Sequence, residues 1–148
     1  MRANYETIDI PSWVERSKRF LESAEVTRDI VYGPRERNTL DFYPAANSDG
    51  TFVLYIHGGY WQRGDKSVYS FMAEPFVASS VSVAVMNYQM CPDAHLAEIA
   101  PQARFAVAFL WRNSGELGIS RDNFNVMGQS AGGASHGRDD VYRLERAG

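Results

Sequence analysis

Phe124-Asn125-Val126-Met127-Gly128-Gln129-Ser130-Ala131-Gly132 is the stretch on which the fold turns. Phe124 to Met127 reads as a strand, and Gly128 begins a turn that carries the pattern G-x-S-x-G. A strand, a sharp turn and a helix start form the setting of a nucleophile elbow. Glycines flank the serine because the turn is tight and neighbouring backbones come close. Such a turn lifts Ser130 above the sheet. It also puts the hydroxyl at a helix N-terminus, where N–H groups stabilise developing negative charge. Taken alone, the pattern fits a Gly-rich turn with a solvated serine equally well.

A second stretch narrows the reading. Phe52-Val53-Leu54-Tyr55-Ile56 contains no charged residue and runs into His57-Gly58-Gly59-Tyr60-Trp61. An apolar run stopped by a Gly pair predicts a strand buried on both faces. Acyl transfer passes through a tetrahedral oxyanion, and backbone N–H groups must already point at that oxygen. A Gly-Gly loop lets the backbone approach closely enough, and His-Gly-Gly after a strand is how lipases and esterases build the hole. His57 and Ser130 are 73 residues apart. Two crossovers through an intervening strand take on the order of 60 residues, at about 30 per βαβ unit. Two weak patterns at the right strand ends and the right separation reinforce each other.

Outward from these stretches, the remaining chain falls into alternating elements. Ser12 caps a first helix running to about Ser23, with Trp13, Val14, Phe20 and Leu21 as its apolar stripe. Val26 to Tyr32 and Thr39 to Tyr43, separated by Gly33-Pro34, predict a hairpin. A helix is expected from Lys66 to Ala78, kinked or interrupted by Pro75. Val81 to Met86 is a further buried strand. Pro101 is expected to open a long helix whose positions Ala103, Ala106, Val107, Leu110 and Trp111 share one face, with Gly115 and Gly118 ending it. Strand–helix–strand–helix–strand alternation predicts an α/β fold, a mostly parallel sheet with flanking helices.

Composition excludes several classes. The chain has 148 residues, 45% hydrophobic and 22% charged, with a formal charge of −3. This suits one globular domain and leaves no basic footprint for nucleic acid or an anionic membrane. A single Cys and three His offer no disulfide and no metal cluster. The longest apolar run, Phe105 to Trp111, is seven residues, against about 20 for a membrane span. The N-terminus lacks the apolar core of a signal peptide. A cytoplasmic protein is expected.

Residues 25–134 resemble the α/β-hydrolase superfamily. Within it, His57-Gly58-Gly59-Tyr60-Trp61 is similar to the H-G-G-x-W signature of kynurenine formamidases (arylformamidases). Thr39-Leu40-Asp41-Phe42-Tyr43-Pro44 and Asn87-Tyr88-Gln89-Met90-Cys91-Pro92 resemble the same branch. Gln129 departs from it, since His is common there. The resemblance implies a serine hydrolase acting on a small N-formyl aryl amide such as N-formylkynurenine, in tryptophan breakdown, with no cofactor. It implies Ser130 as nucleophile and the backbones of Gly59, Tyr60 and Ala131 as oxyanion donors. His57, Gly58, Trp61, Gly128 and Gly132 are motif and structural residues. A carboxylesterase of similar fold, acting on small acyl esters, is the first alternative. A non-catalytic remnant that binds a partner or ligand is the second.

His57 is expected to brace the oxyanion turn rather than act as base. Tyr60 and Trp61 suit either an aromatic pocket or packing under the loop. Cys91 is read as structural and His95 as a surface residue. Asp65, Asp93 and Glu98 are read as solvated or capping carboxylates.

The superfamily orders its triad Ser, then Asp or Glu, then His. His136 is the sole His after Ser130. Six helical positions place it about 120° round and about 9 Å along the axis, out of reach of the serine proton. Asp139 and Asp140 have no strand to position them. Residues 124–135 carry no charge, whereas 137–148 carry six. The family pattern is therefore expected to stop near Ala134, leaving an incomplete hydrolase domain with impaired activity. The resulting division is a helical segment 1–24, a partial hydrolase domain 25–134 and an atypical charged tail 135–148.

Overall fold

The structure, a computed structural model, describes residues 10–58, 64–90, 94 and 96–128. Its helices are α1 (Ile10–Ser23), α2 (Glu74–Ala78), α3 (Leu96–Arg112) and α4 (Ser114–Leu117). Its strands are β1 (Thr27–Val31), β2 (Thr39–Tyr43), β3 (Phe52–Ile56), β4 (Ser82–Met86) and β5 (Phe124–Gly128). They form one sheet in the order β1-β2-β4-β3-β5. β2 pairs antiparallel with both β1 and β4, whereas β3 is parallel to its neighbours β4 and β5.

Period-two alternation sends successive side chains into two cores. Leu40, Phe42, Phe52, Leu54, Ile56, Ala84 and Met86 face one side, where Ile99, Ala103, Ala106 and Leu110 of α3 cover them. Tyr43, Tyr55, Val83 and Val85 face the other. There Trp13, Phe20 and Leu21 of α1 pack with Val68, Met72, Phe76 and Val77. Both faces are covered, so β3 and β4 are buried throughout. Each such side chain contributes about 1.5–3 kcal/mol relative to exposure.

Four local expectations are corrected. Ser12 does not cap α1 but lies within it, two residues after its start at Ile10. The segment from Lys66 is not one kinked helix. It is a turn, a 3-10 helix at Ser70–Ala73, and then α2, with Pro75 in the first turn of α2. Proline is tolerated there because the first N–H groups of a helix have no partner anyway. Pro101 does not open α3 but sits inside it. Its missing N–H costs one helical bond, while Ile99, Ala103 and Ala106 on the buried face hold the helix to the sheet. Gly115 lies within α4, and only Gly118 ends a helix, capping α4 in the left-handed region (φ 69°). Among the described residues no helix is long and apolar enough to cross a membrane.

Candidate functional site

The register between β3 and β5 pairs Ile56 with Gly128. The two chemical motifs therefore leave neighbouring parallel strands at the same level, with strand axes about 4.8 Å apart. His57 and Gly58 follow β3 directly, and Gly128 closes β5. Gly59, Tyr60 and Trp61 of the first motif lie outside the described residues, as do Gln129, Ser130, Ala131 and Gly132 of the second. Cys91, Asp93, His95 and His136 also fall outside them.

His57 is fully buried. Its Nδ1 is 2.7 Å from the Gly58 carbonyl, so the ring holds the turn that opens the loop. The imidazole stacks against Tyr69 (centroids 5.1 Å, planes 11° apart) and Tyr88 (4.6 Å, 22°). Tyr88 in turn donates its hydroxyl to the His57 carbonyl at 2.9 Å. Burial pushes the imidazole pKa below its ordinary value. A neutral ring with Nδ1 engaged is suited to bracing the turn.

The far side of the loop is held as firmly. Gly64 has φ +114°, and a Cβ there would lie 2.8 Å from His57 Nδ1 and 3.0 Å from the Gly58 oxygen. Only glycine lets the returning chain pass this close to the ring. Arg37, from the β1–β2 connection, donates through Nη2 to the Gly64 carbonyl (2.9 Å) and through Nε to the Tyr88 carbonyl (2.9 Å). Its Nη1 lies 3.4 Å from Asp65. Asp65 also caps the next turn by accepting from the Ser67 N–H, and takes the Asn87 amide at 3.0 Å. Burial works against the Asp65 charge, but these hydrogen bonds and Arg37 outweigh it and hold the carboxyl below its usual range. Asn87 accepts from the Lys66 N–H (2.8 Å) and, through its carbonyl, from the Tyr32 hydroxyl.

Lys66 anchors the segment on the Tyr43–Tyr55 face of the sheet. Its ammonium lies 3.0 Å from buried Asp41 of β2 and 2.7 Å from Asp29 of β1. Burial opposes its charge, yet the hydrogen bonds to Asp29 and Asp41 raise its pKa above the ordinary value.

Sequence reasoning gave no role to Arg37, Asn87, Tyr88 or Lys66. Asn87 and Tyr88 had a signal, since they directly follow a buried strand. Arg37 and Lys66 sit in polar connections where nothing marks them. Asp65 is the capping carboxylate expected, with two further partners. Glu98 pairs with Arg35 at 3.2 Å on the surface.

The BD-FAE family matches residues 40–136 of the chain. Isoprenylcysteine alpha-carbonyl methylesterase of Arabidopsis thaliana is 29% identical over 130 residues, 86% of this chain and 30% of that protein. Kynurenine formamidase of Salmo salar is 35% identical over 95 residues, 63% of this chain and 32% of that protein. A Silicibacter sp. TM1040 protein, provisionally assigned as a thioesterase, superposes with a TM-score of 0.78 at 26% identity. That match covers 91% of this chain and 52% of the other. The chain spans about a third of the length of these curated relatives.

Proposed function

Because this chain belongs to the BD-FAE family and folds as an α/β-hydrolase, we propose that it carries the nucleophile and oxyanion loop of a serine hydrolase. The observation behind this reading is the Ile56–Gly128 pairing, which starts both motifs from adjacent strand ends. In it, Ser130 Oγ attacks the substrate carbonyl. The backbone N–H groups of Gly59, Tyr60 and Ala131 receive the oxyanion, worth about 10²–10³ in rate per donor.

The substrate we favour is a small N-formyl aryl amide such as N-formylkynurenine, placing the chain in cytoplasmic tryptophan breakdown. The H-G-G-x-W loop and the 35% identity to a formamidase support it. The second reading is a carboxylesterase on small acyl esters. It is favoured by the longer match, 86% of the chain, to a methylesterase. Residues 25–134 constitute the hydrolase portion in either case, with 1–24 as a helical segment and 135–148 as a charged tail.

Among the described residues the only imidazole is His57, and its Nδ1 is committed to Gly58. A fluorophosphonate probe reads the nucleophile without requiring turnover. Labelling that is lost in Ser130→Ala supports the hydrolase reading, and no labelling supports the non-catalytic alternative. Comparing formyl aryl amides with short acyl esters then separates the two substrates.

A further inference from the structure

The run Phe105 to Trp111 is apolar around the whole circumference of α3, whereas the sheet covers one side of that helix. Ala106 and Leu110 are fully buried, but Phe105 is 50% exposed. A helix that is apolar all round belongs in a place where it is covered all round. Among the described residues the other large hydrophobic side chain left exposed is Val31, on the edge strand β1.

Phe105 is the centre of a stripe. Glu98, Pro101, Phe105, Ala108 and Arg112 follow one another at spacings of 3, 4, 3 and 4. With 3.6 residues per turn they fall within about 80° of arc. None of the five is buried, and Ile99, Ala103, Ala106 and Leu110 occupy the opposite side, against the sheet. Alternating steps of three and four are the spacing of a seam between two helices.

The stripe is also complementary to itself. Glu98 stands seven residues before Phe105 and Arg112 seven residues after it, each about 10.5 Å along the axis. A two-fold axis at Phe105 sets two copies of α3 antiparallel and brings Glu98 of each against Arg112 of the other. The two Phe105 rings then meet at the axis. Pro101 faces Phe109, and the small Ala108 lets the helices approach. Parallel pairing would instead set Glu98 against Glu98 and Arg112 against Arg112, which like-charge repulsion opposes. Glu98 already lies 3.2 Å from Arg35, in a pair whose side chains are 42% and 45% exposed. A carboxylate accepts from several donors, so a second guanidinium adds to this pair without displacing Arg35. Arg112 is exposed, with Nε held to the Ala108 carbonyl at 3.3 Å.

We propose that the outward face of α3 is a docking surface for a second copy of this chain, the two helices pairing antiparallel across a two-fold axis at Phe105. The contact is isologous, the form that closes on itself as a dimer. One helix face is a small interface, so the pairing is weak and reversible. The charged ends fix its direction and the apolar centre holds it together.

The test is sedimentation equilibrium of the full chain from about 10 μM to 1 mM, the range in which weak complexes form. The expected result is a reversible doubling of the 16.6 kDa mass. Phe105→Glu, which sets two carboxylates together at the axis, should raise the dissociation constant about tenfold or more. Glu98→Arg and Arg112→Glu should each weaken the dimer alone, because each makes both end contacts like-charged. An equimolar mixture of those two variants should dimerise as the wild type does, since one then carries cations and the other carboxylates at the matching places. Circular dichroism of each variant separates lost pairing from lost folding. Should Phe105→Glu fail to fold, the charge variants, which leave the apolar surface intact, decide alone. A chain that stays monomeric throughout overturns the proposal. Self-association that Phe105→Glu leaves unchanged also overturns it, by assigning the contact to another surface. A mixture that associates no more tightly than its components overturns the antiparallel pairing.

Discussion

Lys66→Met tests whether the loop is anchored through the sheet. The ammonium sits between Asp41, whose side chain is 2% exposed, and Asp29, whose side chain is 72% exposed. Removing it leaves the Asp41 carboxylate, among the described residues, with the Asp29 N–H 2.9 Å away. Stripping one partner from a buried pair costs about 3–5 kcal/mol. Water reaches this pair from the Asp29 side, so the lower figure applies, about 3 kcal/mol. With a urea slope of about 2 kcal/mol/M, the unfolding midpoint should fall by about 1.5 M. Tryptophan fluorescence at pH 7 is a suitable probe, since Trp13 packs against Tyr69 and Phe71 near the anchored segment. The double variant Asp41→Leu/Lys66→Met removes both charges. It should recover most of the loss, because a buried pair replaced whole by apolar groups is close to neutral. A single variant within about 0.5 kcal/mol of wild type, the range of an ordinary surface change, or a double variant equal to the sum of its singles, refutes the reasoning.

Gly64→Ala should destabilise the chain by about 2 kcal/mol or more, combining backbone strain with a Cβ set against a stacked ring that cannot step aside. Urea unfolding checks it, and an unchanged midpoint refutes it. Alkaline pH should also destabilise the fold. Burial raises the pKa of Tyr32, Tyr43, Tyr55, Tyr69 and Tyr88, so the folded state keeps phenolic protons that the unfolded chain loses from about pH 10. Stability therefore falls as pH rises past that point. The raised Lys66 pKa acts in the same direction. Urea midpoints at pH 9 and 11 measure the effect, and equal midpoints contradict it.

The strands were legible because their signals are local. Phe52–Ile56 and Ser82–Met86 are unbroken by charge, and a run that apolar has to be covered on both faces. The buried stripe of α3 at Ala103, Ala106 and Leu110 was legible from helical spacing. The prolines were misplaced because a proline reports only its own φ and its missing N–H. Pro101 inside α3 is tolerated through packing that the sequence does not display. The bracing residues escaped for a related reason. Arg37 reaches Gly64 across 27 positions and Tyr88 across 51, and no periodicity links such pairs.

The sequence by itself determined the α/β class, the hairpin, the buried strands and the two motifs, since each depends on side-chain chemistry within a few residues. Only the tertiary structure decided which strands are neighbours. β4 follows β3 in the chain but inserts between β2 and β3, and β5 takes the free side of β3. The physical reason is the parallel crossover. A helix-bearing connection reaches either edge of its strand, and the choice follows from how the helices divide between the two faces. Here α1 and α2 cover one face and α3 the other. That division brings Gly128 opposite Ile56, so that two motifs 73 residues apart in the sequence follow neighbouring strand ends.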